Sequence, residues 1–415
     1  MQASIMVHRL LRFQAARSPM ANITRKQRFT IPPGTIYLDG NSLGPLPNGV
    51  SERVQNMLHD EWGQHLIKGW NVDNWMEQPV SVANRLGKLI GAPAESVVLG
   101  DTLSLKVYQA LSSALALRSE RKVILSDTGN FPTDLYMAEG LIKQLGTGHQ
   151  LQLVEPDDVI NAINDNVAAL LLTQVDYRTG RMHDMVTVTK AAQDAGVITI
   201  WDLAHSAGAV PVNVFACQAE FAVGCTYKYL NGGPGAPAFI YVKPDLIEQI
   251  TPTLSGWLGH DSPFAFELKY RPASGIERMR IGTPPVIQIA ALDAALDVFD
   301  DINMQELREA SIDLCELFIK NVEQRCHDLL LASPRDPHCR GSQVSFSFKH
   351  GYAAMQALIA QGVIGDFRAP DIMRFGFTPL YIDEHDVLAA IDILVRVIEE
   401  RLWDKPEYQI RSRVT

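Results

Sequence analysis

Cysteine is scarce in this sequence and follows no pattern. The five present (Cys217, Cys225, Cys315, Cys326 and Cys339) are odd in number, widely spaced and include no C-x-x-C pair. Neither a disulfide framework nor a zinc ribbon is indicated, and no metal site is expected. Long apolar runs are missing as well. The stretch around Ala168 to Leu172 falls far short of the ~18 residues that a membrane helix needs. Positive charge is the minority, 37 Lys and Arg against 47 Asp and Glu, for a formal net charge of -10. That balance argues against nucleic acid as the main partner, since phosphate binding wants a basic face. No internal repeat or low-complexity segment is visible. The G-x-G-x-x-G fingerprint is absent too, which weakens any nicotinamide reading. What the chain does have is apolar content, 47% over 415 residues. That is too much for a disordered chain. It leaves room for two domains or three and for a core that needs no staples. The expectation is a reduced, cytoplasmic enzyme-sized protein.

The start of the chain is acid-free as far as Asp39 and carries Arg9, Arg12, Arg17, Arg25, Lys26 and Arg28. Such a start suits a surface arm, and a transit peptide has the same composition. No long apolar segment follows, which disfavours a secretory signal, and Met20 leaves the start residue open.

Residues 48–68 read as a helix, with Val50, Val54, Met57 and Leu58 on one stripe. From about 95 to 245, short apolar runs recur at 96–100, 122–127, 151–154, 168–175, 197–202, 221–226 and 238–242. Longer helical or loop stretches separate most of them. Continuous apolar runs are the mark of strands buried on both faces, as in a parallel sheet. The gap from Tyr227 to Pro237 is too short for a helical crossover, so 238–242 is expected to run antiparallel to its neighbours. After Pro285 the texture changes to a smaller α+β unit. A helix begins near Val286, another covers 311–330, a strand covers 344–348, and a final helix carries Val387, Ile391, Leu394, Ile398 and Leu402. The expected division is an N-terminal arm with part of a small domain over 1–65, a large domain over 66–285 and a small C-terminal domain over 286–415.

Two segments carry chemistry. In "ITIWDLAHSAGAVPV" an apolar strand ends at Asp202, and His205 follows. In "FAVGCTYKYLNGGPG" another ends just before Tyr227, Lys228 and Tyr229. Ligands of α/β sheets sit at the carboxyl ends of the strands, so Asp202 and Lys228 leave at the ligand-binding edge. An acid and a lysine in one apolar crevice suggest pyridoxal 5'-phosphate (PLP). A lysine that forms a Schiff base must be partly desolvated, and a carboxylate must keep the pyridine nitrogen protonated for the ring to act as electron sink. Taken alone, each of the two is more often a solvated surface residue.

Further motifs widen the pattern: "IYLDGNSLGPLP" at Ile36, "NFPTDLYMAEG" at Asn130, "YRTGRMHDM" at Tyr177, "LSGWLGH" at Leu254 and "DIMRFGFTPLY" at Asp371. With "WDLAHSAGAVPV" and "CTYKYLNGGPG", they make the chain, from about Ile36 to its C-terminus, resemble the kynureninases. These belong to the PLP-dependent enzymes of the aspartate-aminotransferase type. The resemblance implies an α/β, fold-type-I large domain with a mostly parallel seven-stranded sheet, plus a small α+β domain from the N- and C-terminal parts. It implies hydrolytic Cβ–Cγ cleavage of L-kynurenine to anthranilate and L-alanine in tryptophan catabolism, through a Schiff base of PLP with Lys228, with 3-hydroxykynurenine the poorer substrate.

Residue by residue, the resemblance matches Lys228 to the Schiff-base lysine and Asp202 to the partner of the pyridine nitrogen. Phe131 matches the aromatic on the cofactor ring, and Asp134 a second carboxylate near it. Thr173 and His205 match polar groups at the cofactor edge. Leu103 and Ser104 match the phosphate-binding turn, which has its own physical reason: a strand end followed by a helix start turns free N–H groups toward an anion. Tyr227 matches a phosphate ligand with a proton-transfer role. Trp257 and Thr283 match residues that reach the phosphate from a neighbouring subunit, which implies a homodimer with shared active sites. Arg374 matches the residue that binds the substrate α-carboxylate, while Ser42 and Trp70 lie where the substrate-ring pocket is built.

Each has a plain alternative, such as core packing for Phe131, an interface aromatic for Trp257, a structural role for His205, or a surface pair with Asp371 for Arg374. Two other functions stay open. A cysteine desulfurase would need a nucleophilic cysteine on a mobile loop, for which Cys339 in "PHCRGSQ" is the candidate. A PLP-binding protein without activity is the second.

Overall fold

The computed structural model describes residues 23–411. Arg9, Arg12, Arg17 and Met20, with the readings of the N-terminal arm that rest on them, lie outside the described residues. Among the basic residues that follow, Lys26 bridges Asp383 and Asp386 at 2.6 and 2.5 Å.

All seven apolar runs of the middle segment are strands: β1 (Val97–Leu99), β2 (Val123–Asp127), β3 (Gln150–Val154), β4 (Val167–Thr173), β5 (Ile198–Asp202), β6 (Phe221–Gly224) and β7 (Phe239–Val242). They form one sheet in the order β1-β7-β6-β5-β4-β2-β3. The pairs from β3 through β6 are parallel. As the short Gly- and Pro-rich gap requires, β7 runs antiparallel to both β6 and β1. That reversal leaves β1 pointing the same way as β6, so every strand but β7 presents its carboxyl end at one edge. Strands β4 to β7 are buried throughout, whereas β3, at the sheet's end, is largely exposed. Crossover helices cover the faces, among them α1 (Leu103–Leu117) and α2 (Pro132–Leu145).

A second sheet has the order β8-β9-β11-β10, from β8 (Leu330–Leu331), β9 (Gln343–Ser347), β10 (Asp366–Arg368) and β11 (Ile372–Gly376). Its pairs are antiparallel. Phe318 packs against Phe346, Phe375 and Phe377, with ring centroids 6.1, 5.0 and 5.1 Å apart. Ile36–Tyr37 pairs in parallel with Val363–Ile364, so the N-terminal segment is built into the C-terminal unit. In this way the loop after Tyr37 comes to lie over the large sheet's edge.

The helices after Pro285 are α3 (Val286–Leu296), α4 (Met304–Arg325) and α5 (Glu384–Glu399). α4 begins earlier than the expected 311–330, because the Asn303 side chain caps it by accepting from the N–H groups of Gln305 and Glu306, and it ends at Arg325. The expected helix over 48–68 is α-helical only for Asn48–Asn56. It widens to a π-helix over Met57–His65 and tightens to a 3-10 turn over Leu66–Lys68. Leu58 faces solvent while Val50 and Met57 stay buried.

Candidate active site

Strand register assembles the site. Thr173, the last residue of β4, lies opposite Asp202 on β5, and Asp202 lies opposite Val223 on β6. The segment leaving β6 therefore delivers Tyr227 and Lys228 beside Asp202. Lys228 Nζ is 2.8 Å from His205 Nε2 and sits 5.9 and 5.8 Å from the ring centres of Phe131 and Tyr227. Asp202 Oδ1 accepts the Ala204 N–H at 2.8 Å, and Oδ2 lies 3.4 Å from Thr173 Oγ1. The same hydroxyl donates to Asn130 Oδ1 at 2.5 Å. Asn130 also takes the N–H of Phe131 at 2.7 Å, which fixes the aromatic at the start of α2. Asp134 stands on the first turn of that helix.

Burial governs the charges here. It pushes the Asp202 carboxyl up to about 6, against the pull of the Lys228 ammonium and of the bonds from Ala204 and Thr173. Burial and the nearby Asp202 hold the Asp134 carboxyl well above the usual range. Burial and Lys228 keep His205 well below its ordinary value, so its imidazole is neutral. Its Nε2 then accepts from the lysine, and Nδ1 carries the proton, a tautomer inferred from the partner. That Nδ1 and both Asp134 oxygens are buried without a partner among the described residues. Unmet donors and acceptors around an aromatic face fit a planar, polar-edged ring such as the pyridine of PLP.

A cavity of about 340 Å³ adjoins this edge, lined by Ser42, Thr102, Leu103, Tyr227 and Gly235 among others. No side chain caps the first turn of α1, which leaves its N–H groups for an anion. Leu103 lines the cavity, and Ser104 follows on the same turn, half-buried. Burial and the neighbouring Cys225 push the Tyr227 hydroxyl above its ordinary value, so at neutral pH it is a phenol and a donor.

The loop of residues 39–44 closes the site from above. Gly44 donates its N–H to Tyr227 O at 2.8 Å, and a Cβ there would stand 2.3 Å from Lys228 O. Only glycine permits that approach. Two residues earlier, Ser42 Oγ donates to Asp366 Oδ2 at 2.5 Å and receives Arg374 Nη2 at 3.0 Å. Arg374 is 1% exposed. It forks onto Asp366, its cross-strand partner, through Nε at 2.6 Å and through Nη2, and donates Nη1 to Tyr177 O. Arg368 Nη2 reaches Asp366 at 2.9 Å. The surface pair with Asp371 does not form; that carboxylate accepts from Ser347 instead. The two arginines hold Asp366 below the usual range although burial opposes them. Asp39, beside it, is pushed up to about 7 by burial and by Asp366.

Sequence reasoning did not assign Asp366, Arg368, Asp39 or Asn130. Asp39, Asn130 and Tyr177 stand inside quoted motifs, but Asp366 meets Arg374 only through the pairing of β10 with β11. Three expected residues stand apart within this chain. Trp70 lies in a small cluster with Met57, Trp75 and Ala290, 5.6 Å from Trp75 ring to ring. Trp257 is 43% exposed, and Thr283 is exposed. Cys339 lines a separate cavity of about 1000 Å³ with His183 and Arg308.

The fold is the fold-type-I architecture of PLP-dependent enzymes. A cysteine desulfurase of Thermococcus onnurineus NA1, solved in its apo form, matches 93% of this chain and 99% of its own at a TM-score of 0.78 and 18% identity. In sequence, a kynureninase of Pseudomonas fluorescens is 47% identical over 397 residues, 94% of this chain and 95% of that protein. One of Burkholderia mallei (strain SAVP1) is 45% identical over the same shares. The model of the kynureninase C-terminal domain matches residues 307–394. The chain belongs to the kynureninase family.

Proposed function

We propose that this protein hydrolyses the Cβ–Cγ bond of L-kynurenine to anthranilate and L-alanine, with PLP as cofactor. The observation that carries the reading is the meeting of Lys228, His205, Asp202 and Asp134 at one sheet edge beneath Arg374. Lys228, Asp202, Asp134, Phe131, Thr173 and His205 would hold the ring, and Leu103, Ser104 and Tyr227 the phosphate. When bound, PLP supplies the sink for carbanionic charge at the substrate carbons.

The chain's own groups do the rest. Lys228 Nζ takes the proton from substrate Cα, and neutral His205 keeps that amine in place. Asp202 holds a proton on the ring nitrogen, for which its buried position beside a cation suits it. Tyr227 is the acid that returns a proton to Cβ after water has attacked the γ-carbonyl. Arg374 receives the α-carboxylate, and Ser42, on the closing loop, turns toward it. A substrate-ring pocket to which Ser42 contributes, and which Trp70 joins only by leaving its cluster with Trp75, the preference for kynurenine over 3-hydroxykynurenine, the division at 65 and 285, and a cytoplasmic location in tryptophan catabolism and NAD biosynthesis belong to the same reading.

Ultraviolet progress curves with kynurenine, 3-hydroxykynurenine and cysteine test it. Anthranilate should form from kynurenine faster than 3-hydroxyanthranilate forms from 3-hydroxykynurenine. Alanine released from cysteine, with no turnover of kynurenine, would overturn the proposal. The holoprotein should absorb near ~420 nm, and borohydride should fix the cofactor to Lys228.

The reading includes a homodimer in which Trp257 and Thr283 serve the partner's site. Supporting it, Trp257, Phe264 and Phe266 form an exposed ladder, with ring centroids 5.7 and 6.3 Å apart, continued by Leu268. Such a patch calls for cover. Mixing Lys228→Ala with Trp257→Ala chains should restore activity through hybrid dimers with one intact site. A fully active monomer in sedimentation would refute the dimer.

A further inference from the structure

Lys106 is buried, 1% exposed, on the first turns of α1. Its side chain runs back toward the helix start, the direction that helical side chains take. Nζ donates to Asp101 Oδ2 at 3.2 Å and to Gln109 Oε1 at 3.0 Å, and lies 3.9 Å from where a Cβ on Gly100 would be. The ammonium is thus set against the Gly100–Asp101 turn, immediately before the helix start that lines the cavity of about 340 Å³. Gln109 is tied in turn, donating Nε2 to Met279 O at 3.0 Å.

This is a costly place for a cation. Burial disfavours its charge, and Asp101 only partly restores it. The positive end of the α1 dipole repels it as well. Asp101 is itself held at a φ of 58°, in the left-handed region that non-glycine residues seldom enter. The two electrostatic costs fall once a second anion occupies the turn.

We propose that Lys106 is a positioning residue for the cofactor phosphate, a fixed positive charge lodged behind the first-turn N–H groups of α1. The inference rests on reading residues 102–104 as the phosphate site. Lys106 strengthens that site electrostatically while Asp101 and Gln109 keep its head in place.

The test is an absorbance titration of the cofactor-free full-length protein with PLP and, separately, with pyridoxal, which lacks the phosphate. Lys106→Met should raise the Kd for PLP at least ~10-fold and leave that for pyridoxal unchanged. Lys106→Gln, uncharged but polar, should do the same. The cofactor-free Lys106→Met protein leaves Asp101 and Gln109 Oε1 without their partner and should melt below wild type, so circular dichroism first establishes that it is folded before its two Kd values are compared. Equal weakening for both ligands would make Lys106 a merely structural residue and overturn the proposal, as would unchanged PLP binding. If wild type itself binds pyridoxal as tightly as PLP, the phosphate-turn reading fails, and this inference fails with it.

Discussion

The two halves of the site treat buried charge in opposite ways. At the edge of the large sheet, both Asp134 oxygens and His205 Nδ1 have no partner among the described residues, and burial pushes Asp134 and Asp202 toward their protonated forms. On the β10–β11 hairpin the charges answer one another. Arg374 makes four hydrogen bonds, to Asp366, Tyr177 and Ser42, out of the five N–H groups that a guanidinium offers. The first half is complete only with a ligand in it. The second is assembled before any ligand arrives, as a site that must receive a new molecule at each turnover should be. It still keeps a cation in excess, since Arg368 and Arg374 share one Asp366 carboxylate.

The comparison breaks first at Asp202. Asp202→Asn removes the group that holds the ring proton, and turnover should fall at least ~10³-fold, about 4 kcal/mol of transition-state stabilisation. The variant should still fold and bind some cofactor. If steady-state assays leave it more than a tenth of wild-type turnover, the large-sheet half does not depend on that carboxylate.

On the other half, Arg374→Lys should lower kcat/KM by ~10²–10³-fold. A point charge cannot span Asp366, Tyr177 O and Ser42 while meeting a carboxylate. The absorbance of bound PLP should stay near wild type, because the cofactor is held elsewhere. Loss of PLP with little change in KM would move Arg374 to the cofactor half.

The smallest effect is on stability and concerns Asp39, on the loop that packs against the hairpin. Asp39 holds its proton up to about 7 in the folded protein, against ~3.9 in an unfolded chain. A carboxyl raised in this way adds stability that is whole below ~3.9 and is lost as pH rises through about 7. Asp39→Asn should therefore gain on wild type as pH rises from ~4 to about 7, in paired thermal melts of the cofactor-free protein. A difference that stays flat with pH would show that Asp39 is already ionised beside Arg368 and Arg374.

The strands of the large sheet were legible because each is short, apolar and bounded by turn residues, and the reversal of β7 followed from a gap too short to cross over. The burial of β4 to β7 on both faces left no alternation to confuse the reading. Helix boundaries were less legible. Where hydrogen bonding changes to π and 3-10 turns after Asn56, the spacing of apolar residues no longer reports one stripe.

By itself the sequence determined which residues are chemically able to act: an acid and a lysine at the ends of apolar strands, a helix start open to an anion, an arginine set among apolar neighbours. Tertiary structure decided what each of them faces. That Arg374 is held by Asp366 follows from an antiparallel register between β10 and β11. That Ser42 reaches both follows from a parallel pairing of Ile36–Tyr37 with residues more than 300 positions away. That Lys106 sits against the turn before α1 depends on the packing that buries it. The physical reason is common to all three. Local spacing constrains backbone conformation within a few residues, whereas partners of buried charges are chosen by long-range contacts that form only when the sheets and their covering loops close on one another.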